Sequence, residues 1–471
     1  MLFSSLEFLF LFLPLCLFSY YILPKRFGNA VLLIFSLVFY AFGEPVYILL
    51  MIATVLFDWL FALLIQRYSE RKRTAKLLLA AALVLNLSVL VFFKYYDLLA
   101  EYIPYASPLG LALPVGISFY TFQSLSYVID SYRKDATASR SPLVPAVYVT
   151  LFPQLIAGPI ITYNEIEGQI RKRAHSLSRI ANGIRRFSVG LAKKVLLANT
   201  AGELWQDFCR RFALGGSDTL GAWLGVICFA FQIYFDFSGY SDMAIGLGRM
   251  FGFEFPENFN YPYISRSITD FWRRWHVTLS SWFRNYVYIP LGGNRRGRTR
   301  TYINLFIVWS LTGLWHGAGV NFLIWGLYFF VILSIEKLFL LKLLDRLPRP
   351  LCHAYALLAI LFGWLIFAAD GSGGSLTPSL ALKCAAAMLG IGAAPISSLS
   401  LYELARNLPV LLIMCAASTP MLKSLSKRLL RSKRYRGFTA VALNLSAIFL
   451  VFISISYLVN SGYNPFLYFR F

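Results

Sequence analysis

The sequence predicts an all-α protein that crosses a membrane many times. Of its 471 residues, 58% are hydrophobic and only 14% are charged, a composition that a water-soluble domain could not hide from solvent. A bilayer core needs about 20 apolar residues for each helical crossing. Because unpaired backbone groups are costly in hydrocarbon, we expect helices, roughly ten to twelve of them in the membrane. The clearest apolar runs are Leu9–Leu23, Leu77–Phe93, Leu220–Phe235 and Phe438–Val459.

The chain is strongly basic, with 44 lysines and arginines against 22 acids and a net charge of +22. In a soluble protein this excess would suggest nucleic-acid binding. Here the basic residues collect in short loops between apolar runs, at Gln66–Lys76, Glu167–Arg173 and Lys423–Arg436, which is the pattern of cytoplasmic loops. We therefore expect a multi-pass protein in the lipid bilayer, with no nucleic-acid partner and with both chain ends outside.

We predict one membrane domain over residues 1–471, with three unusual segments. Leu143–Ile161 contains prolines and a glycine, so it should be a broken or re-entrant helix. Ser178–Asn199 alternates apolar and basic positions, as in a helix at the cytoplasmic interface. The block 258–300 interleaves aromatics with arginines and contains no stretch apolar enough to cross. Its composition fits an interfacial belt as well as a cytoplasmic or re-entrant functional segment.

His316 is the first of two histidines that could take part in chemistry. It lies inside the apolar run Tyr302–Ile335, which is long enough to enter the membrane and return. An ionisable group at membrane depth is costly and by default marks a functional cavity, although a histidine hydrogen-bonded between helices is the alternative. Gly313 and Gly317 on either side would let a ligand or a backbone approach closely.

His276 follows an arginine- and tryptophan-rich stretch, FWRRWHVTLS, that includes Trp272. By itself the pattern indicates an interfacial histidine in an aromatic belt. An imidazole is nevertheless the side chain whose ordinary pKa, about 6.5, suits proton transfer near neutral pH. The residues alone leave both interpretations of His276 open.

A third polar segment, Tyr234–Gly246, follows an apolar run and contains Asp236, Tyr240 and Asp242. Acids at that depth need partners, and we expect the arginines downstream to supply them. Structural pairing and the lining of a site are equally compatible with these side chains. The cysteines are scattered singly, without the paired spacing of a zinc site or a disulfide framework, so no metal is expected.

Several sequence blocks together resemble one known family. They are YFDFSGYSDMAIG, ENFNYPYISRSITDFWRRWHVTLSSWFRNYVYIPLGG, GLWHGAGVNFLIWG and the terminal NPFLYFRF, in this order. FYAFGEP near the N-terminus and the internal LFPQLIAGPI extend the match over nearly the whole chain. In order and spacing these blocks resemble the bacterial branch of membrane-bound O-acyltransferases, most closely the alginate O-acetyltransferase type.

The resemblance implies a helical shell around a tunnel through a bacterial plasma or inner membrane, with the donor entering from the cytoplasm. His316 corresponds to the family's membrane-embedded histidine, and His276 to the histidine or asparagine of the FW-x-x-W-[HN] block. His316 would act as general base on the attacking hydroxyl while His276 orients the donor or stabilises oxyanion charge, or the roles are exchanged. The side chains expected to line this site are Trp272, Trp315, Asp236, Tyr240 and Asp242.

The implied donor is an acyl thioester such as acetyl-CoA, bound as a substrate, with no resident cofactor. Guanidinium groups would hold its phosphates through charge-assisted, often bidentate hydrogen bonds. Between Arg266 and Arg300 there are eight arginines and a single acid, Asp270. We expect the cytoplasmic mouth to be formed by Arg273, Arg274, Arg284 and Arg295.

The tail 460–471 should emerge on the acceptor side, because the last apolar run leads out of the basic cluster Lys423–Arg436. Its aromatic residues would suit an interfacial belt. The ending also resembles a tyrosine-bearing motif of extracellular acyl-transfer systems, which makes Tyr468 a candidate acyl relay. The resemblance further implies a membrane-anchored partner, an SGNH or serine esterase-like transferase, that passes the group to a polysaccharide.

Two other functions stay open from the sequence. A D-alanyl transferase for teichoic acid would take its donor from a carrier protein, whereas the terminal motif and the chain length favour acetyl-CoA. A transporter would share the broken helices and the polar groups at membrane depth. No inverted repeat is visible in the chain, which argues against transport.

Overall fold

The computed structural model describes residues 1–100, 103–105, 107–156, 158–216, 218–371, 375–460, 462–465 and 467. Across these residues helices are the only regular elements and no strand occurs, which confirms the all-α prediction. The chain forms two compact units. Unit 1 consists of Met1–Leu191 and Tyr240–Glu257, and unit 2 consists of Ala192–Gly239 and Asn258–Phe471.

Unit 1 is a packed set of helices in which α3, α4 and α5 contact one another and α2 contacts α6. Its helices are α1 (Leu13–Ile22), α2 (Gly28–Ala41), α3 (Tyr47–Arg67), α4 (Lys72–Ala100), α5 (Ile117–Arg133), α6 (Leu143–Thr150), α7 (Phe152–Leu155), α8 (Tyr163–Arg171) and α9 (Leu177–Ala192). The side chain of Asn86 donates to Asp58 at 2.7 Å, and this buried hydrogen bond joins α4 to α3.

The proline-rich segment of unit 1 is broken, as predicted. α6 ends at Thr150, α7 is a single turn, and α8 begins only at Tyr163. The described residues from Leu151 to Ile161 are all buried, and the backbone N–H of Phe152 donates to the hydroxyl of Ser36 at 3.0 Å. Protein therefore surrounds this irregular backbone, which is the condition under which it is tolerated in a membrane protein.

Unit 2 contains most of the remaining helices. They are α10 (Asn199–Ala213), the first part of α11 (Thr219–Met250), α12 (Ile268–Trp272), α13 (Val277–Phe283), α14 (Arg298–His316), α15 (Val320–Ile335), α16 (Leu341–Leu344), α17 (Arg349–Phe367), α18 (Pro378–Met388), α19 (Ser398–Ala417), α20 (Met421–Arg431) and α21 (Arg436–Asn460). α14 packs along α15, α17 packs on α15, and α12 contacts both α15 and α17. The boundary at Gly239 falls inside α11, so this helix belongs to both units.

Within the described ranges, six helices are long and apolar enough to cross a membrane, namely α3, α4, α11, α17, α19 and α21. The first apolar run of the sequence is divided between a π-helical segment, Phe8–Phe12, and α1, which has Pro14 in its first turn. The protein is therefore a multi-pass membrane protein. The count of ten to twelve crossings and the tunnel stay predictions.

The predicted interfacial helix Ser178–Asn199 corresponds to α9 and the π-helical turn Lys193–Ala198. Its helical structure is confirmed, and its place at the cytoplasmic interface stays a prediction. The block 258–300 consists of short helices and turns up to α14, so it contains no crossing helix before Arg298.

Candidate active site

The hairpin of α14 and α15 fixes the position of His316. His316 is the last residue of α14, and the turn 317–319 leads directly into α15. A Cβ atom on Gly313 would lie 2.5 Å from the backbone oxygen of Phe322, and one on Gly326 would lie 2.4 Å from that of Trp309. The two helices therefore meet backbone to backbone, which small residues make feasible between membrane helices.

Aromatic rings surround the imidazole of His316, which is 5% exposed. The ring centroids of Trp315, Trp325 and Phe367 lie 4.8, 5.0 and 5.2 Å from it, each in an edge-on arrangement. Such packing restricts the rotation of the imidazole and keeps bulk water away from it. His316 thus has a defined orientation in an apolar setting.

His276 lies in a strained loop directly before α13. Its φ is +42°, in the left-handed region that is uncommon for a residue other than glycine. Two backbone hydrogen bonds hold the loop: Val277 donates to Asn258 at 3.0 Å, and Asn260 donates to Arg274 at 2.9 Å. Strain of this kind persists only where the surroundings enforce it, and such positions cluster at functional sites.

The side chain of Asn258 sets the protonation pattern of His276. Asn258 Oδ1 lies 3.1 Å from Nδ1 of His276 and also accepts from the backbone N–H of Thr278 at 3.4 Å and from its hydroxyl at 2.9 Å. Because a backbone N–H can only donate, this atom is the amide oxygen, and the neutral ring must carry its proton on Nδ1. Nε2 has no hydrogen-bond partner among the described residues, so it presents a lone pair.

His276 and His316 line one cavity of about 330 Å³ in unit 2. Trp272 lines the same cavity. The ring of Trp315 contacts both imidazoles, with centroid distances of 6.2 Å to His276 and 4.8 Å to His316. The two histidines, far apart in sequence, therefore face one space with a tryptophan against both.

The four arginines expected at the donor mouth occupy different places. Arg273 and Arg284 are exposed and line the cavity. Arg274 instead pairs with Asp270 at 2.9 Å. Arg295 is exposed and is not among the residues that line the cavity. The exposed side of the cavity therefore carries the guanidinium groups of Arg273 and Arg284.

The ion-pair partners of the acids on α11 come from upstream, so the expectation of partners in the downstream arginine block was wrong. In unit 2, Asp236 pairs with Lys194 at 2.6 Å, and both side chains are buried. Asp236 is not among the residues that line the cavity. The partner comes from the helical run that continues α9, because local sequence does not show which distant helices meet.

The other two residues of the polar segment belong to unit 1. Asp242 pairs with Arg186 at 2.6 Å, and the same guanidinium group contacts Glu257. Tyr240 stacks on Phe3 with the ring centroids 4.5 Å apart. Their described contacts lie within unit 1, whereas the cavity with the two histidines belongs to unit 2.

Glu336 fixes the start of α12, the helix that ends in Trp272. Sequence reasoning did not single out Glu336. Its fully buried carboxylate accepts from the backbone N–H groups of Ile268 at 2.6 Å and Thr269 at 2.8 Å, and from the hydroxyl of Tyr355 at 3.0 Å. These N–H groups open α12 and have no partner within the helix itself. The signal in the sequence was an acid placed directly after a long apolar run.

The candidate relay Tyr468 lies outside the described residues. The part of the tail that is described includes Tyr463, Pro465 and Leu467, and it forms hydrogen bonds with other residues of unit 2.

The chain is similar to known acyltransferases over most of its length. The family model of the membrane-bound O-acyltransferase family matches residues 138–370. The chain is 45% identical to the probable alginate O-acetylase AlgI of Pseudomonas aeruginosa, over 79% of this chain and 72% of that protein. It is 38% identical to the probable alginate O-acetylase AlgI of Pseudomonas putida over 100% of both, and 34% identical to the peptidoglycan O-acetyltransferase of Helicobacter pylori over 85% of this chain and 82% of that protein. The chain therefore belongs to the membrane-bound O-acyltransferase family and is a multi-pass bacterial acyltransferase.

Proposed function

We propose that this acyltransferase moves an acetyl group from a cytoplasmic thioester, such as acetyl-CoA, to a hydroxyl group outside the cytoplasm. The cavity in unit 2 carries the proposal, because two imidazoles and two exposed arginines line it. Imidazoles suit proton transfer near neutral pH, and guanidinium groups suit the phosphates of the donor. The relatives named for O-acetylation of alginate and peptidoglycan support acetyl as the group.

In the proposed reaction the acceptor oxygen attacks the thioester carbonyl carbon, the carbon–sulfur bond breaks, and the hydroxyl proton ends on the departing sulfur. A base has to take this proton on the way. Nε2 of His276 supports that role, because the contact with Asn258 leaves its lone pair available. His316 then donates a hydrogen bond toward the developing oxyanion. This division exchanges the roles that the sequence suggested first.

Replacement of each histidine tests the proposal. His316→Ala and His276→Gly should each lower transfer from labelled acetyl-CoA about 10²–10⁴-fold, the range that general acid–base catalysis contributes. Glycine is chosen at position 276 because it accepts the left-handed backbone there. His175→Ala, in unit 1, is the control, and membrane insertion should persist in all variants. Transfer near the wild-type rate in either test variant would remove that histidine from the mechanism.

We further propose a polysaccharide as acceptor and a membrane-anchored SGNH or serine esterase-like transferase as partner. The alginate and peptidoglycan in the names of the relatives support the acceptor class. Labelled acetyl-CoA separates the alternatives: a D-alanyl transferase would transfer no acetyl label, and a transporter would give flux in proteoliposomes without an acylated product.

Tyr468 is the proposed acyl relay of the tail. Tyr468→Phe removes only the phenolic oxygen, so a relay predicts loss of transfer to the outer acceptor in this variant. Unchanged transfer would exclude the relay and leave the histidines as the sole proposed reacting groups.

A further inference from the structure

A buried ion pair in unit 2 holds the C-terminal tail. Lys194 lies in the π-helical turn after α9 and Asp236 lies in α11, and both side chains are 2% exposed with their charged atoms 2.6 Å apart. Nζ of Lys194 also donates to the backbone oxygen of Pro465. The second carboxylate oxygen of Asp236 accepts from the backbone N–H of Leu467 at 2.8 Å. Each member of the pair therefore holds one backbone group of the tail.

Asn199, the first residue of α10, also forms hydrogen bonds with the tail. Its amide donates to the backbone oxygen of Tyr463 at 3.2 Å and to the side-chain oxygen of Asn464 at 3.3 Å. Lys194, Asn199 and Asp236, from the π-helical turn, α10 and α11, thus contact the tail at successive points along its path. Since most of these bonds go to backbone atoms, they fix the path of the tail more than its side chains.

A buried ion pair needs hydrogen bonds beyond the one between its two members. Two buried charges lose their hydration, and their mutual attraction repays this loss only when additional hydrogen bonds satisfy them. Here Pro465 and Leu467 of the tail supply such bonds. Apolar side chains of similar volume would fill the same space without this requirement. The arrangement has the chemistry of a receptor for backbone groups of the tail.

The held part of the tail ends next to a ring that contacts His316. Pro465 and Leu467 line a small cavity of about 20 Å³ together with Phe367. The ring of Phe367 lies 5.2 Å from the imidazole of His316, centroid to centroid. A single side chain, Phe367, therefore contacts His316 and also borders the binding place of the tail.

We propose that Lys194 and Asp236 are positioning residues that clamp the tail at Pro465 and Leu467 and thereby hold it beside Phe367, on the His316 side of unit 2. The clamp holds the described residues of the tail next to a ring that contacts the imidazole of His316. This proposal rests on the acyl transfer proposed above, because the position of the tail matters to the reaction only if His316 takes part.

The test uses the full-length chain in nanodiscs and removes both charges together. Loss of one partner would leave an uncompensated buried charge and could unfold the protein, whereas Lys194→Met with Asp236→Ala leaves none. Hydrogen exchange of the tail is compared with that of α14 and α15. The double variant should speed exchange in the tail by at least about tenfold, because two hydrogen bonds to charged groups are lost, and leave α14 and α15 unchanged. Wild-type protection of the tail in the double variant would overturn the clamp.

Acyl transfer in the same samples shows whether the clamp acts through the tail. The double variant should lose transfer in the full-length chain and cause no further loss in a chain that ends at Asn460. A freed tail with wild-type transfer would overturn the role of the clamp in acyl transfer, and so would an equal loss in both chain lengths. Absence of transfer in the wild-type protein would refute the proposed function instead, while hydrogen exchange would still decide the clamp.

Discussion

The amide oxygen of Asn258 controls which nitrogen of His276 can accept a proton. Asn258→Ala removes this acceptor and frees both the tautomer and the orientation of the ring. We expect kcat for acyl transfer to fall about 10- to 100-fold, the effect typical of residues that orient a reacting imidazole. The donor KM should change little, because Asn258 is not among the residues that line the cavity.

Thr278→Val is the matched control for this prediction. It removes a hydroxyl that bonds to the same amide oxygen at 2.9 Å and leaves the contact with His276 intact. Steady-state kinetics on both variants show whether the fall in kcat is specific to Asn258→Ala. Equal losses in the two would mean that Asn258 supports the loop and has no separate effect on the imidazole.

Donor affinity is expected to depend on Arg273 and Arg284. Changing both to glutamine removes the guanidinium groups from the exposed side of the cavity. The KM for acetyl-CoA should rise about tenfold, and the effect should shrink at high salt, because exposed charges are screened. Arg295→Gln removes an exposed arginine that does not line the cavity, so its KM should match the wild type. The assignment is wrong if Arg295→Gln raises the KM as much as the double variant does.

Sequence reasoning could name the two histidines but not the residues that hold them. An imidazole inside an apolar run is conspicuous because such a group is costly there. Asn258 and Glu336 are ordinary polar residues, and their roles arise from contacts with His276 and Ile268 that join segments distant in the chain. No local pattern shows which segments meet, and this also explains the missed pairing of Asp236.

At the scale of elements, the α14–α15 hairpin depends on glycine at its crossing. Gly326→Ala would place a Cβ atom 2.4 Å from the backbone oxygen of Trp309, which cannot move aside without separating the helices. We expect a loss of about 1–3 kcal/mol in the free energy of unfolding, typical of overpacking, together with reduced acyl transfer. Thermal unfolding followed by the intrinsic tryptophan fluorescence provides the measurement.

Gly437→Ala is the matched control for the hairpin. It also lies in a helix, α21, but an added Cβ atom there meets nothing within 4 Å. Alanine is the better helix former by about 1 kcal/mol, so this variant should be as stable as the wild type or slightly more stable. A Gly326→Ala protein as stable as this control would show that the helices do not need close contact.

Breaks and turns were predictable where the residue type itself causes them. Prolines interrupt the segment Leu143–Ile161, and α6 and α7 are separated there as expected. The apolar run Tyr302–Ile335 forms two helices, the end of α14 and α15, joined by a short turn, and its entry into the membrane stays a prediction. The short helices of the block 258–300 were harder to predict from local sequence. The buried carboxylate of Glu336, which lies far downstream, holds the first N–H groups of α12.

At the scale of the whole molecule, the basic loops predict the orientation in the membrane. A reporter that is active only outside the cytoplasm, such as alkaline phosphatase, should be active after Phe471 and inactive after Lys433, because Lys423–Arg436 should be retained inside. A fusion after Arg71, in the basic loop Gln66–Lys76, is the inactive control. Activity after Lys433 would invert the orientation and move the acceptor side with it.

The cavity around the histidines also bears on acyl length. Its volume of about 330 Å³ is near the lower end of the range for small-molecule sites, about 300–1,000 Å³. Its walls include Trp272, Trp275 and Trp309, whose rigid rings adapt less readily than flexible aliphatic chains. Each methylene added to the donor must therefore find room against stiff planar surfaces, and the enzyme should act as a molecular ruler that transfers two-carbon groups and discriminates progressively against longer ones.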